Sequence, residues 1–238
     1  MHCEYVPVSL RAVLFDWRGI LVADPSDEWW LARACEHLGR PQPTTTELST
    51  VAAAINAVWQ LPEFAVAGRQ MDCSAAQHAE TSLRVFAVAG LDDELARALN
   101  QLDWRSDCHP YATDAKDTLE TLAPDGIKVA VISDIHFDFR PEFEAQGLAE
   151  FVDAFILSFE HGIQKPDPGM FQLALDALGV EPAEALMVGD RASRDGGAAA
   201  VGIPTLLLPT LHDQSEQRLD LVLRLACQPL GQRNSPSA

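Results

Sequence analysis

Four short stretches carry side chains that could do chemistry together. They are Phe15-Asp16-Trp17-Arg18-Gly19, Ile132-Ser133-Asp134, Gln164-Lys165-Pro166-Asp167-Pro168, and Val188-Gly189-Asp190 followed by Asp195. Asp16, Asp190 and Asp195 would repel one another if brought together, unless a cation joins them. Magnesium prefers such hard oxygen ligands and leaves room for water and substrate oxygens. Ser133 supplies a hydroxyl that can hold a phosphate oxygen. Lys165, one of only three lysines with Lys116 and Lys128, supplies a point charge. Together they describe a metal-assisted carboxylate nucleophile facing an anionic substrate.

The elements that must position these residues are legible as apolar runs. Segments 12–15, 127–133, 154–158, 185–188 and 205–208 read as buried strands. Helical patterns at 113–122, 140–148, 169–178 and 195–201 separate them. Strands alternating with helices predict an α/β fold with a parallel sheet covered on both faces. In such sheets ligands bind at the carboxyl ends of the strands, where all four stretches fall. Segment 24–107 differs: it holds helical patterns at 28–38, 47–59, 74–89 and 92–102 and no convincing strand. The expected organisation is an α/β core of residues 1–23 and 108–227, an all-helical insertion over 24–107, and a polar, breaker-rich tail over 228–238 that reads as disordered.

Composition narrows the function. The chain has 238 residues, 47% hydrophobic and 22% charged, as a soluble globular protein has. Its formal charge of −18 disfavours nucleic acid and anionic membrane surfaces in the absence of a basic patch, and none is apparent. The longest uncharged stretch, 196–211, is broken by glycine and proline, so no membrane span is expected. The N-terminus has no basic region before its apolar residues, so no signal peptide is expected. Five cysteines without a CxxC pair suggest reduced thiols and a cytoplasmic setting.

On these four motifs, in this order and each after a strand, the chain resembles the haloacid dehalogenase (HAD) superfamily with an inserted helical, C1-type cap. The resemblance covers nearly all of residues 11–209. It implies a Rossmann-like core and a small, phosphorylated substrate. It assigns Asp16 as nucleophile, Ser133 as phosphate-binding hydroxyl, and Lys165 as the cation that quiets the nucleophile's charge. Asp190 becomes a direct Mg2+ ligand, the backbone carbonyl of Arg18 another, and Asp195 a group that orients metal waters or Lys165.

The first motif departs from the family's DxDxT. Arg18 stands where the second aspartate protonates the leaving group, and Ile20 where the threonine falls. Such an acid is worth roughly 10²–10⁴-fold in rate. Arginine cannot replace it as a proton donor, although it can stabilise charge. The loss matters least for leaving groups that need no proton: a halide, an acyl oxygen or a phenolate. Three alternatives follow. Arg18 could pair with Asp16 or Asp190 and block the metal, giving a binding or regulatory protein. The chain could hydrolyse carbon–halogen bonds, although such dehalogenases carry serine and asparagine in place of the GDxxxxD pair kept here. A phosphonoacetaldehyde hydrolase would need a Schiff-base lysine in the cap, and no lysine lies between Asp24 and Asp107.

Several features have plainer readings. Asp16 can be a turn residue and Asp195 a helix N-cap. Asp134, His136 and Asp138 form a string that invites a metal but more often marks a loop, and His136 or Asp138 could replace the missing acid. Trp29 and Trp30 point about 100° apart on a helix, so one is expected in the cap core. The other, with Arg69, His78 or Arg84, could touch substrate. Cys35, Cys73 and Cys108 read as small buried hydrophobes.

Overall fold

Residues 9–226 are described by a computed structural model. Strand β1 (Ala12–Phe15) is buried at every position, as an apolar run must be at the centre of a sheet covered on both faces. It is joined by β2 (Lys128–Ser133), β3 (Ala154–Leu157), β4 (Ala185–Gly189) and β5 (Thr205–Leu207) in the order β3-β2-β1-β4-β5, every pair parallel. The expected Rossmann-like α/β core is therefore present. Phe15 lies level with Val131 and Val188. Asp16 thus sits one residue beyond that level, and Ser133 and Asp190 two beyond it. Register alone delivers three of the motif residues to one edge.

Helices cover the sheet. Between β1 and β2 the chain forms α1 (Asp27–His37), α2 (Thr45–Trp59), α3 (Pro62–Ala67), α4 (Ala75–Val88), α5 (Asp93–Leu102) and α6 (Ala115–Leu122). Between β2 and β4 come α7 (Arg140–Ala145), α8 (Ser158–His161) and α9 (Pro168–Leu178), and α10 (Asp220–Ala226) ends the described chain. One sheet face packs on Trp17, Phe139 and Phe143, where Trp17 stacks on Phe139 at 4.2 Å. The other packs on Met170, Phe171 and Leu175 of α9. A third apolar cluster belongs to α1–α5: Leu31, Ile55, Phe64, Val85 and Leu99 share it. The five inserted helices thus bury their faces against one another. Side-chain oxygens of Ser26, Thr44, Ser74 and Asp92 cap four of them.

The structure differs from the sequence reading in detail. The short α3 was not anticipated; its start at Pro62 suits a residue lacking an N–H in the first helical turn. Segment Asp195–Val201 is a 3-10 rather than an α-helix, consistent with the poor helix propensity of the adjacent Gly196 and Gly197. Helices α8 and α10 were also missed. The tail 228–238, Cys3 and Cys227 lie outside the described residues. Among the described residues, no helix is long and apolar enough to cross a membrane.

Candidate active site

The carboxyl edge brings Asp16, Ser133, Lys165, Asp190 and Asp195 together. Lys165 Nζ lies 2.9 Å from Asp16 Oδ1 and donates to Asp195 Oδ1 at 2.6 Å and to the Ile132 carbonyl at 3.2 Å. Its three N–H donors are therefore matched by three acceptors. Burial works against the ammonium charge, but Asp16, Asp195 and Asp134 outweigh it and hold the lysine above its ordinary range. Asp195, fully buried, uses its second oxygen to accept from the backbone N–H groups of Asp190 (3.1 Å) and Arg191 (2.9 Å). It thus ties the end of β4 to Lys165, and its side chain does not cap the following 3-10 helix.

Asp190 completes the carboxylate group. Its Oδ2 accepts from the Thr210 hydroxyl at 2.6 Å, while Oδ1 is buried with no partner among the described residues. A buried, unpaired carboxylate oxygen is costly unless something occupies it. Asp16, Asp190 and Asp195 offer oxygens within 4.8 Å of one another. Burial, with Asp195 and Asp190 nearby, outweighs Lys165 and pushes the Asp16 carboxyl up to about 7. Burial likewise pushes Asp190 up, against its hydrogen bond from Thr210. This donor set suits a hard divalent cation, which would relieve both the repulsion and the orphaned oxygen.

Gly19 makes the close approach possible. Its φ is +85°, and a Cβ there would lie 2.6 Å from Asp190 Oδ2. Gly19→Ala is therefore expected to destabilise the fold by about 1–3 kcal/mol from backbone strain alone. It should also displace Asp190. Denaturant unfolding and magnesium titration calorimetry would show both losses; wild-type values in each would refute the packing account.

Arg18 does not behave as the blocking alternative requires. Its guanidinium donates to Asp103 Oδ1 at 2.6 Å, at the C-terminal end of α5, and lies 5.7 Å from the Trp17 ring. Burial disfavours its charge, but Asp103 and Asp24 restore it. It is thus turned toward the inserted helices and away from Asp16 and Asp190. Ser133 is buried and borders, with Asp16, Lys165, Arg191 and Arg194, a polar cavity of about 80 Å³.

The string from Asp134 to Asp138 is not one site. Asp134 accepts from the Lys165 backbone N–H at 2.7 Å and lies 3.5 Å from Arg194. Asp138 pairs with Arg140 at 2.8 Å. His136, buried, stacks on His78 at 3.5 Å, and its ring nitrogens have no hydrogen-bond partner among the described residues. Asp72 lies 2.7 Å from His78 and 3.6 Å from His136, and Asp103 lies 3.6 Å from each. Asp72, His78 and His136 thus form a second set of close donor atoms. Their rings lie nearly parallel, so a common ion would require one ring to turn. Burial favours a raised Asp72 carboxyl, but the two imidazoles outweigh it and hold it well below the usual range. This cluster joins the insertion to the core.

The remaining candidates separate cleanly. Trp30 lines a cavity inside the inserted helices, while Trp29 is exposed. Arg69 borders a different depression, beside Gln164, and Arg84 lies over Phe64. Cys35, Cys73 and Cys108 are buried and free, as expected. Sequence reasoning missed Thr210, Arg191, Arg194, Asp72 and Asp103. The two arginines flank the fourth-motif aspartates and were open to notice. The other three carry no local signal.

Comparison with known proteins places this geometry in a family. The model of haloacid dehalogenase-like hydrolases matches residues 10–202. The chain is 39% identical over 106 residues to a ribulose-1,5-bisphosphate 5-phosphatase of Halopiger xanaduensis, covering 44% of this chain and 43% of that protein. It is 37% identical over 150 residues to human haloacid dehalogenase-like hydrolase domain-containing protein 3, covering 60% and 57%. These alignments span about half the length of the relatives. A crystal structure of a dehalogenase with an intermediate complex superposes with a TM-score of 0.66 at 21% identity, covering 94% of this chain and all of that one; this shows the shared fold. The chain belongs to the haloacid dehalogenase-like hydrolase family.

Proposed function

We propose that this protein is a Mg2+-dependent phosphohydrolase that acts on a small phosphorylated metabolite through an aspartyl nucleophile. One observation carries the reading: Lys165 is held between Asp16 and Asp195, beside an Asp190 oxygen with no partner, while Arg18 is drawn away to Asp103. Asp16, Asp190 and the Arg18 carbonyl would hold magnesium, with Asp195 fixing the loop behind it. Bound there, the ion supplies positive charge that offsets repulsion between the nucleophile and the phosphoryl oxygens.

This chain's own residues do the rest. Asp16 attacks phosphorus, with Lys165 keeping its carboxylate oriented. Ser133 holds a phosphoryl oxygen, and the Lys165 ammonium, its N–H groups already engaged, attracts the phosphoryl group by its charge. Arg18 stabilises charge on the departing group, since it cannot protonate it. Residues 24–107 form the cap, which closes over the edge and excludes water. The phosphatase names among the relatives agree with this chemistry. The free cysteines suit the reducing cytoplasm.

The test is phosphate release from aryl, acyl and alkyl phosphates, with and without magnesium. Metal-dependent release, with acyl and aryl phosphates ahead of alkyl, is expected. Metal-independent halide release from a 2-haloacid would instead establish carbon–halogen hydrolysis. No turnover together with no magnesium binding would leave a binding or regulatory protein.

A further inference from the structure

Two cavities meet at the Arg18–Asp103 ion pair, which lines both. The one at the sheet edge, about 80 Å³, is bordered by Lys165, Arg191, Arg194 and the Ser133 hydroxyl. Its lining is almost wholly charged or hydroxylic, which suits a phosphoryl group better than the organic part of a substrate. Beyond Arg18, among α1, α2, α4 and α5, lies a cavity of about 180 Å³ walled by Trp30, Leu31, Ile55, Trp59, Phe86 and Leu99.

That cavity has the size and surface of an aromatic-ring site. A dry apolar cavity of about 150 Å³ admits one benzene, so this one takes a single six-membered ring with a small substituent. Three aromatic side chains give it faces and edges for ring packing. Two of its lining residues carry buried polar atoms with no partner among the described residues: the side-chain oxygen of Asn100 and Nε of Arg18. A ligand O–H or N–H would satisfy that oxygen. Asp27, also in the wall, is already engaged by Asn56 at 2.8 Å.

The first motif points the same way by a separate route. With Arg18 in place of the proton donor, the site favours a leaving oxygen that departs as an anion. A phenol has a pKa of about 10, whereas bulk water, a guide to simple alkoxides, is a far weaker acid. Arg18, at the mouth of the apolar cavity, is placed to hold such an anion. On the phosphohydrolase reading above, we infer that the substrate class is a monocyclic aryl phosphate, its ring seated among Trp30, Trp59 and Phe86 and a ring substituent donating to Asn100.

The reaction balances without an acid. An Asp16 oxygen bonds to phosphorus, the P–O(aryl) bond breaks, and its electron pair leaves with the aryl oxide beside Arg18. Water then attacks phosphorus in the aspartyl phosphate, which releases inorganic phosphate and returns the Asp16 carboxylate. The proton lost by water is matched by the one the aryl oxide gains in solvent. The sum is aryl phosphate plus water giving phenol plus phosphate.

The experiment follows phosphate release from phenyl, 1-naphthyl, butyl and acetyl phosphates with magnesium, in wild type, Leu99→Trp and Phe86→Ala. Acetyl phosphate has a good leaving group and no ring, so it reports phosphoryl chemistry separately from the cavity. Wild type is expected to prefer phenyl over butyl and to reject naphthyl. Leu99→Trp, which fills the cavity, should lower the phenyl-to-acetyl ratio of kcat/KM about 30-fold. Phe86→Ala should raise the naphthyl-to-acetyl ratio, a gain that misfolding cannot produce. If acetyl phosphate is hydrolysed but neither ratio moves, the aryl assignment is overturned and the phosphohydrolase reading stands. Hydrolysis of none of the four overturns both.

Discussion

Asp16→Asn is expected to lower phosphate release at least ~10⁴-fold, the scale on which loss of a covalent nucleophile is felt. The amide keeps the shape but cannot attack phosphorus. A second readout separates this chemical loss from collapse of the site. In the metal-free wild type, burial with Asp195 and Asp190 pushes the Asp16 carboxyl up to about 7, above the ordinary value of about 3.9. Between about pH 4 and pH 7 the folded protein therefore holds a proton that the unfolded chain has lost. Through this group, stability falls as pH rises across that window and stays low above it. The asparagine variant lacks this slope. Its melting temperature without magnesium should match or exceed wild type at pH 8 and lose that relative advantage at pH 5. Magnesium should raise wild-type Tm at pH 8 more than that of the variant, because a charged ligand is gone. Equal pH slopes in the two proteins would show that Asp16 does not carry the buried charge.

The site was legible to the extent that sheet geometry alone could assemble it. Strand β1 was read at its observed bounds and the others within a residue or so, because short apolar runs ending in glycine or aspartate leave few choices in a parallel sheet. Once the strands are parallel, the residues after them share an edge, so Asp16, Ser133 and Asp190 came together without any knowledge of packing. Lys165 lies on no strand; its sequence context carried it. What could not be read was the far side of the pocket. Arg18 meets Asp103 across 85 residues, and His136 meets His78 and Asp72. Both depend on how the inserted helices sit on the core, which helical periodicity does not encode. The cavity behind Arg18 was hidden for the same reason: Trp30, Trp59, Phe86 and Leu99 come from four helices, and each alone reads as an ordinary core residue.

Lys165→Met is expected to destabilise the metal-free protein by about 3–5 kcal/mol, the usual cost of removing one partner from a buried ion pair. Methionine roughly fills the space, so cavity formation contributes little. What is lost is the cation 2.9 Å from Asp16 and 2.6 Å from Asp195. Asp16 and Asp195 then lose their ion-pair partner. The lysine's raised pKa makes its own contribution constant through neutral pH: it is complete below the unfolded value of about 10.4 and fades only above the higher folded one. Any pH dependence of the loss must therefore come from the carboxylates. They can relieve their repulsion by taking up protons, so the deficit should be larger at pH 8 than at pH 5. Turnover should fall with it, since Asp16 loses the group that orients it. The double variant Asp16→Asn/Lys165→Met tests the cause: removing one carboxylate should recover part of the lost stability, a coupling that independent sites would not show. Magnesium should also recover part of it in the single variant. If denaturant unfolding finds a deficit below about 1 kcal/mol, the same at both pH values and untouched by Asp16→Asn, then the Lys165–carboxylate contacts do not hold this edge together.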